Sequence, residues 1–588
     1  MSLFSSRRHQ PGFHAGEDLQ AGQALRLDGV RMQAIETGRS RLIATALVFL
    51  LAFGGISLRL IDVAVLDRTP AHPVAAPIAR GDGLEMERAD ITDRTGVLLA
   101  SSLPTNSLFA RPDDLKAAKV DIEDAAAKLV AVLPDLDLEE TIEHLSSSRQ
   151  FVYLKRNLTP RQQYDVNALG IPGLLFEKGE RRIYPHGNLL SHVVGMTDID
   201  NKGLAGIEKR FENALQESHE PLALSIDIRV QTIMRNELAH AVEEFQAIGG
   251  TGMIMDVRSG EMLAMVSLPD FDPNDPPPPT DPSMFNRATK GAYEMGSTFK
   301  LFNTALALES GRVNLNSTFD ATKPLIFANH TIHDDHALNR WLTIPEILIH
   351  SSNIGSARMA LDVGTDAQRA FMAKIGMLSP PSIELPEVGA PLVPNPWREI
   401  NTVTIAFGHG LSVTPLQLLA GVSTLVNGGQ YHPPTLLARA PDDATPGIPI
   451  IKPKTSEQIR GLMRLVVTEG TGKKADVPGY EVGGKTGTAE KAGHGGYRKK
   501  AVLASFVAVF PSDAPRYAVL VMIDEPQGTK ETHGLIAAGW TAAPIAGSVI
   551  AQIAPLMGLM PKTLAPAQTP TVKGIAASKG GHEIAAVE

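Results

Sequence analysis

Cysteine is absent from all 588 residues, so neither a disulfide framework nor a cysteine-ligated metal site is open to this chain. A cysteine-free chain is untroubled in an oxidising compartment, although the absence does not by itself place it in one. Aromatic residues are only 5% of the total, and the formal net charge of −9 gives no support to nucleic-acid binding, which favours basic patches. Internal repeats are lacking as well. What is present, 43% hydrophobic and 20% charged residues, is enough for two or three domains and at least one large core.

A local absence says more. No charged residue falls between Leu42 and Leu58, a run of 17 residues flanked by Arg41 and Arg59. That is the short end of a membrane span. Leu60 and Ile61 extend it while Arg59 snorkels, so one transmembrane helix is expected over 42–62, with a buried soluble helix as the competing reading. A cleaved signal peptide has a shorter apolar core and a short basic leader, whereas 41 residues precede this run. Those residues hold six arginines (7, 8, 26, 31, 39 and 41) against four acids. The positive-inside rule therefore keeps 1–41 as a cytoplasmic tail and sends everything after the span across the inner (cytoplasmic) membrane, into the periplasm or its equivalent.

The stretch "TPAHPVAAPIAR" makes 63–80 a semi-extended linker. Residues 81–220 mix short strands, glycine turns and charged helices such as "DLEETIEHL". A strand and an amphipathic helix then open a second region, 221–560. "TGMIMDVRSGEMLAMVSL" reads as one β-hairpin, and "AVLASFVAVF" with "RYAVLVMID" as another. Between them lie a proline-rich surface loop at 271–282 and an apolar helix ending at Gly311. Strands, then helices, then strands imply an α+β domain with helices on both sides of an antiparallel sheet. From 561 to 588 the composition predicts a flexible tail.

"YEMGSTFK" places Ser297 three residues before Lys300, where the apolar helix begins. A serine cap with a lysine on the first turn explains this stretch equally well by itself. "HSSNIG" supplies Ser351 and Asn353, with Ser351 54 residues downstream of Ser297, and "GGKTGTAE" supplies Lys485, 188 downstream, before the last hairpin. Ser-x-x-Lys, Ser-x-Asn and Lys-Thr-Gly, in this order, form the signature of penicillin-binding proteins and serine β-lactamases. A serine hydroxyl must lose its proton to become a nucleophile. Ser297 and Lys300 share a helix face, and burial plus a second cation, Lys485, would make Lys300 a usable base while Lys485 keeps its proton. Ser351 can relay protons, Asn353 can meet a substrate amide, and Gly487, between Thr486 and Thr488, leaves room for substrate backbone. The N–H groups of Ser297 and Thr488 are the expected oxyanion hole.

The chain resembles the class B penicillin-binding proteins over most of its length. "RADITDRTGVLLA" (88–100) and "RRIYPHGNLLSHVVGMTDIDNKGLAGIE" (181–208) are similar to the motifs of that family's pedestal, or dimerisation, domain. "FGHGLSVTPLQLLAG" (407–421) is similar to its Gly-x-Gly-x-x-x-Thr-Pro-Leu-Gln helix start. Met295 departs from the family's usual proline and removes a φ restraint before the nucleophile. The resemblance implies a penicillin-binding transpeptidase domain on an elongated pedestal. The implied activity is D,D-transpeptidation of peptidoglycan stem peptides ending in D-Ala-D-Ala, with β-lactams as inhibitors and no cofactor or metal. Within the family the chain looks more like the division branch than the elongation branch, and this implies a septal role beside a SEDS-type glycan polymerase and other division proteins.

Other readings have sequence consequences. A β-lactamase or sensor needs no long pedestal, and a bifunctional enzyme needs a glycosyltransferase motif before the serine domain. An idle scaffold need not retain Ser297, Lys300, Ser351, Asn353 and Lys485. "HTIHDDHALNR" (330–340) invites a metal site that serine–lysine acyl transfer does not use. His409, in a glycine loop, is read as structural. Arg181/Arg182 and Asp93/Arg94 are read as ion pairs within the pedestal or at a partner surface.

Overall fold

The computed structural model describes residues 88–562 except 219, 328–329, 441–445 and 494–495, together with 47, 49–51 and 53–54. The expected cytoplasmic tail, the linker, most of the expected span and the C-terminal tail after Lys562 lie outside the described residues. Those described within 42–62 are helical, with Leu47, Leu50 and Phe53 exposed. Among the described residues no helix is long and apolar enough to cross a membrane. The chain divides into two compact units at Gly83, and the second, Leu84–Glu588, holds all the described residues from Arg88 on.

That unit begins with a five-stranded sheet. Its strands are β1 (Ile91–Thr92), β2 (Leu98–Ala110), β3 (Val152–Leu158), β4 (Leu174–Ile183) and β5 (Leu222–Ala223). Strands β3 and β4 flank the long β2 antiparallel, while β5 joins β1 in parallel. Helices α1 (Ile122–Val132) and α2 (Leu138–Ser146) start at Asp121 and Asp137, whose carboxylates accept first-turn N–H groups. Leu108, Leu115, Leu129, Leu145 and Leu158 form a core of their own in this head. The base differs: Ile91, Leu99, Tyr184, Val193 and Ile207 belong to one continuous core with Leu224, Ile226, Met253 and Met265. A boundary drawn at 220 therefore precedes β5, a strand of the pedestal sheet, and cuts across a shared core.

The next layers are α3 (Ile228–Glu244), β6 (Gly249–Asp256), β7 (Met262–Leu268), α4 (Lys300–Glu309), α5 (Asn353–Val363), α6 (Pro415–Val426), α7 (Pro453–Thr468), β8 (Gly483–Gly493), β9 (Gly496–Phe510), β10 (Tyr517–Asp524) and α8 (Ala542–Leu556). The strands pair antiparallel in the order β8-β9-β10-β6-β7, so that Lys485 lies on an edge strand. Both faces are covered, which is why β6, β7 and β10 are buried along their whole length while period 2 still sorts their side chains. Phe506, Val519, Val521 and Ile254 pack under α3 and α8, and Val507, Leu520 and Met253 under α4, α6 and α7.

The two pedestal stretches singled out in the sequence meet at one buried ion cluster. Arg88 Nε and Arg182 Nε each donate to Glu208 at 2.6 Å, all three side chains being at most 2% exposed. Arg182 also donates to Ala89 O at 2.9 Å, and Arg88 to Glu208 O at 2.7 Å. Asp93 accepts from Thr95 and Val97 within its turn and from Ile228 N at 3.1 Å, which ties the pedestal to the start of α3. Arg88 has a second carboxylate in Glu212, at 3.0 Å, whereas Glu208 is the carboxylate that Arg182 donates to, so there is little tolerance for losing Glu208. Glu208→Gln should destabilise this unit by about 3 kcal/mol or more, seen as a lower thermal unfolding midpoint of the purified chain. An unchanged midpoint would contradict the central place given to this cluster.

Candidate active site

Ser297 lies in one 3₁₀ turn, Gly296–Phe299, that runs straight into α4. Lys300 to Leu308 are all buried, and Phe299 and Phe302 meet edge to face inside the core. This wedge fixes the i, i+3 geometry, with Lys300 Nζ 2.8 Å from Ser297 Oγ. Lys300 Nζ also lies 2.6 Å from Ser351 O, 3.0 Å from Ser351 Oγ and 2.7 Å from Asn353 Oδ1. From β8, Lys485 Nζ reaches Ser351 Oγ at 3.1 Å and Thr486 O at 3.1 Å. The five side chains from three distant stretches thus converge, and the Ser351 hydroxyl lies between two lysines.

Both lysines are 0% exposed. Burial pushes Lys300 down to about 7, against the opposing pull of Asp334 and Asp335. Lys485 is driven well below its ordinary value by burial and then by the charge of Lys300. Two adjacent amines in one dry cleft titrate as a pair. Neutral Lys300 suits its surroundings. Of its four oxygen neighbours, Ser351 O and Asn353 Oδ1 only accept, which leaves the Ser297 and Ser351 hydroxyls as the partners able to exchange a proton with it.

The other expected residues have more specific places. Asn353 uses both ends of its amide inside the protein, since Nδ2 donates to His333 O at 3.0 Å while Oδ1 faces Lys300. A Cβ on Gly487 would sit 2.6 Å from Met295 O and 2.6 Å from Ser505 Oγ. Gly487 is therefore needed so that the nucleophile turn can pack on β8, and the room its missing side chain leaves is not substrate space. Thr486 Oγ1 pairs with Thr471 Oγ1 at 2.7 Å, and Thr488 Oγ1 accepts from Ala538 N at 3.1 Å. The Thr488 backbone runs beside the turn, 2.7 Å (O) and 3.3 Å (N) from where a Gly296 Cβ would be.

Sequence reasoning did not find the residues that hold the turn. Glu294 accepts from Gly410 N at 2.7 Å and lies 2.9 Å from His409 Nδ1, so His409 is part of the scaffold. Gly296 N donates to Gly408 O at 3.1 Å. Met295, 1% exposed, is held by core packing, and its carbonyl accepts from Thr298 Oγ1 at 2.9 Å. The glycine-loop motif was a signal for this role. Among the described residues no group of three or more His, Cys, Asp or Glu is gathered to hold a metal. In the stretch 330–340, Asp334 instead accepts from Ser352 Oγ and Ile354 N.

Comparison with known proteins agrees with this geometry. The penicillin-binding protein transpeptidase domain matches residues 250–548, and the penicillin-binding protein dimerisation domain matches 84–220. The chain is 38% identical over 494 residues to the probable peptidoglycan D,D-transpeptidase FtsI of Caulobacter vibrioides, covering 82% of this chain and 83% of that protein. It is 30% identical over 509 residues to the peptidoglycan D,D-transpeptidase FtsI of Escherichia coli, covering 81% and 85%. Penicillin-binding protein 3 of Mycobacterium tuberculosis, solved with aztreonam, shares the fold at a TM-score of 0.64 and 23% identity, over 81% of this chain and 97% of that one.

Gly408 has φ +94°, and a Cβ there would lie 1.8 Å from Gly296 O. Gly408→Ala must therefore displace the nucleophile turn. Capture of labelled penicillin by Ser297 should fall on the order of 10²-fold, while circular dichroism still reports a folded chain. Capture at the wild-type rate would refute the clamp.

Proposed function

The chain belongs to the class B penicillin-binding proteins, and we propose that Ser297, Lys300, Ser351, Asn353 and Lys485 carry its peptidoglycan D,D-transpeptidation. The observation behind this is the hydrogen-bonded path Ser297–Lys300–Ser351–Lys485. Ser297 Oγ attacks the penultimate D-Ala carbonyl and passes its proton to neutral Lys300. The backbone N–H groups of Ser297 and Thr488 receive the oxyanion. Ser351, within reach of both lysines, returns a proton to the departing D-Ala amine. A neighbouring stem's amine then attacks the acyl-enzyme and releases Ser297. A substrate carboxylate would raise Lys485 again and be held by its charge. β-Lactams, as acylating mimics of the donor, would stop at the acyl-enzyme.

The reading extends to where and with what the chain works. The FtsI relatives support cross-linking at the division septum. The apolar run 42–58 and the arginine-rich leader support a single-pass anchor in the inner membrane with the catalytic domain outside the cytoplasm. The head of the pedestal, with its own core, is suited to docking a SEDS-type polymerase and other division proteins.

Ser297→Ala should remove turnover by about a million-fold and all covalent penicillin, and peptide mapping of the wild type should place the adduct on 291–300. An adduct on Ser351 or Ser352 would overturn the assignment.

Because neutral Lys300 is the working form, the wild-type acylation rate should rise with pH through about 7. It should fall about tenfold per unit below that. Lys300→Arg should nearly abolish acylation, since guanidinium does not deprotonate, whereas Lys485→Arg should be milder. Equal tolerance of both replacements would refute the division of roles.

A further inference from the structure

The segment ahead of α5 reaches the reacting groups only through its neighbours. Asp334 Oδ2 accepts from Ser352 Oγ at 2.7 Å and Oδ1 from Ile354 N at 2.9 Å. Ser352 in turn caps α5, its Oγ accepting from Gly355 N at 3.0 Å. Just ahead of these anchors Ser351 has φ +57°, the left-handed region, where the helix Ile344–Ile349 ends and Ser351 N and Ser352 N donate to Leu348 O at 3.3 Å and Ile347 O at 2.9 Å. For a residue with a Cβ this conformation costs on the order of 1–3 kcal/mol and persists only when surrounding contacts hold it. It turns both the carbonyl and the hydroxyl of Ser351 toward Lys300. One residue before Asp334, the His333 carbonyl takes Asn353 Nδ2 and so aims Oδ1, not the NH₂ group, at Lys300.

We propose that Asp334 is a positioning residue for acylation: its carboxylate, bonded to Ser352 and Ile354, holds the strained turn that presents Ser351 and Asn353 to Lys300. The proposal rests on the reading of Ser297 and Lys300 as nucleophile and base. Asp334 touches neither substrate nor the attacking oxygen and acts through the turn.

The charged groups acting on Lys300 are Lys485 from β8 and Asp334 and Asp335 from this segment, and its hydrogen-bond partners Ser297, Ser351 and Asn353 are neutral. Both aspartates raise Lys300, but the bonds to the turn belong to Asp334, while Asp335 is exposed. Charge and position can therefore be separated. Removing either carboxylate lets Lys300 fall further, which moves the acid limb of the acylation profile to lower pH. Loss of position lowers the plateau above that limb.

The test is the second-order rate of labelled-penicillin capture by the purified full chain across pH. Asp334→Ala should lower the plateau on the order of 10²-fold with a melting temperature near that of the wild type. Asp334→Asn, which keeps one oxygen for Ile354 N, should recover part of the loss. Asp335→Ala should move the limb and leave the plateau within about twofold. If Asp334→Ala does not fold, Ser352→Ala decides: it keeps the charge, removes the bond to Asp334 together with the cap on Gly355 N, and should lower the plateau without moving the limb. Equal plateaus for Asp334→Ala and Asp335→Ala, or a wild-type plateau for Ser352→Ala, would overturn the proposal. Failure of the wild type to label at Ser297 would overturn the functional reading instead.

Discussion

Two lysine side chains withdrawn from water and joined through one serine hydroxyl set the terms for the rest of the active site. A buried ammonium is expensive to desolvate, and a second one beside it is more so. Burial lowers both amines below their ordinary values, and Lys300 is surrounded by oxygens at 2.6–3.0 Å. The same dryness that makes the pair hard to ionise makes Lys300 a base near neutral pH. Catalytic competence and electrostatic strain have one origin, so neither can be relieved without changing the other.

A pair of this kind works only if its partners cannot drift. The nucleophile turn is gripped from two directions: Gly408 lies under the Gly296 carbonyl, and Gly487 lets the turn lie flat on the edge strand β8. The Ser351–Asn353 turn is held by the segment 333–334 and the capping of α5. Each grip joins stretches far apart in sequence. The domain is built accordingly, with an antiparallel sheet covered on both faces and α4 driven into the core like a wedge.

The pedestal obeys a different logic. Its head has an independent leucine core, but its base shares the transpeptidase core and is locked by Arg88, Arg182 and Glu208. Breaking such a buried cluster is costly because the remaining charges cannot reach water. The head can thus present a surface of its own while the base stays continuous with the catalytic domain.

Much of this was legible in the amino-acid order. Period-2 and period-3.6 patterns are local, so the two hairpins and the apolar helix after Lys300 could be read directly, and the ordered trio around Ser297, Ser351 and Lys485 named the chemistry. Other features depend on what packs against what. Nothing near Gly487 in sequence shows that its missing Cβ faces Met295 O. No spacing rule tells that both ends of the Asn353 amide are occupied, or that Asp334 serves a helix start and not a metal. Nor does local order show that β5, a two-residue strand just after 220, joins β1 about 130 residues earlier. The sequence by itself determined the family and the candidate reacting groups, because these follow from residue type and order. The tertiary structure alone decided how far each lysine is stripped of water and which contacts hold the turns, because burial and close approach are made by distant parts of the chain.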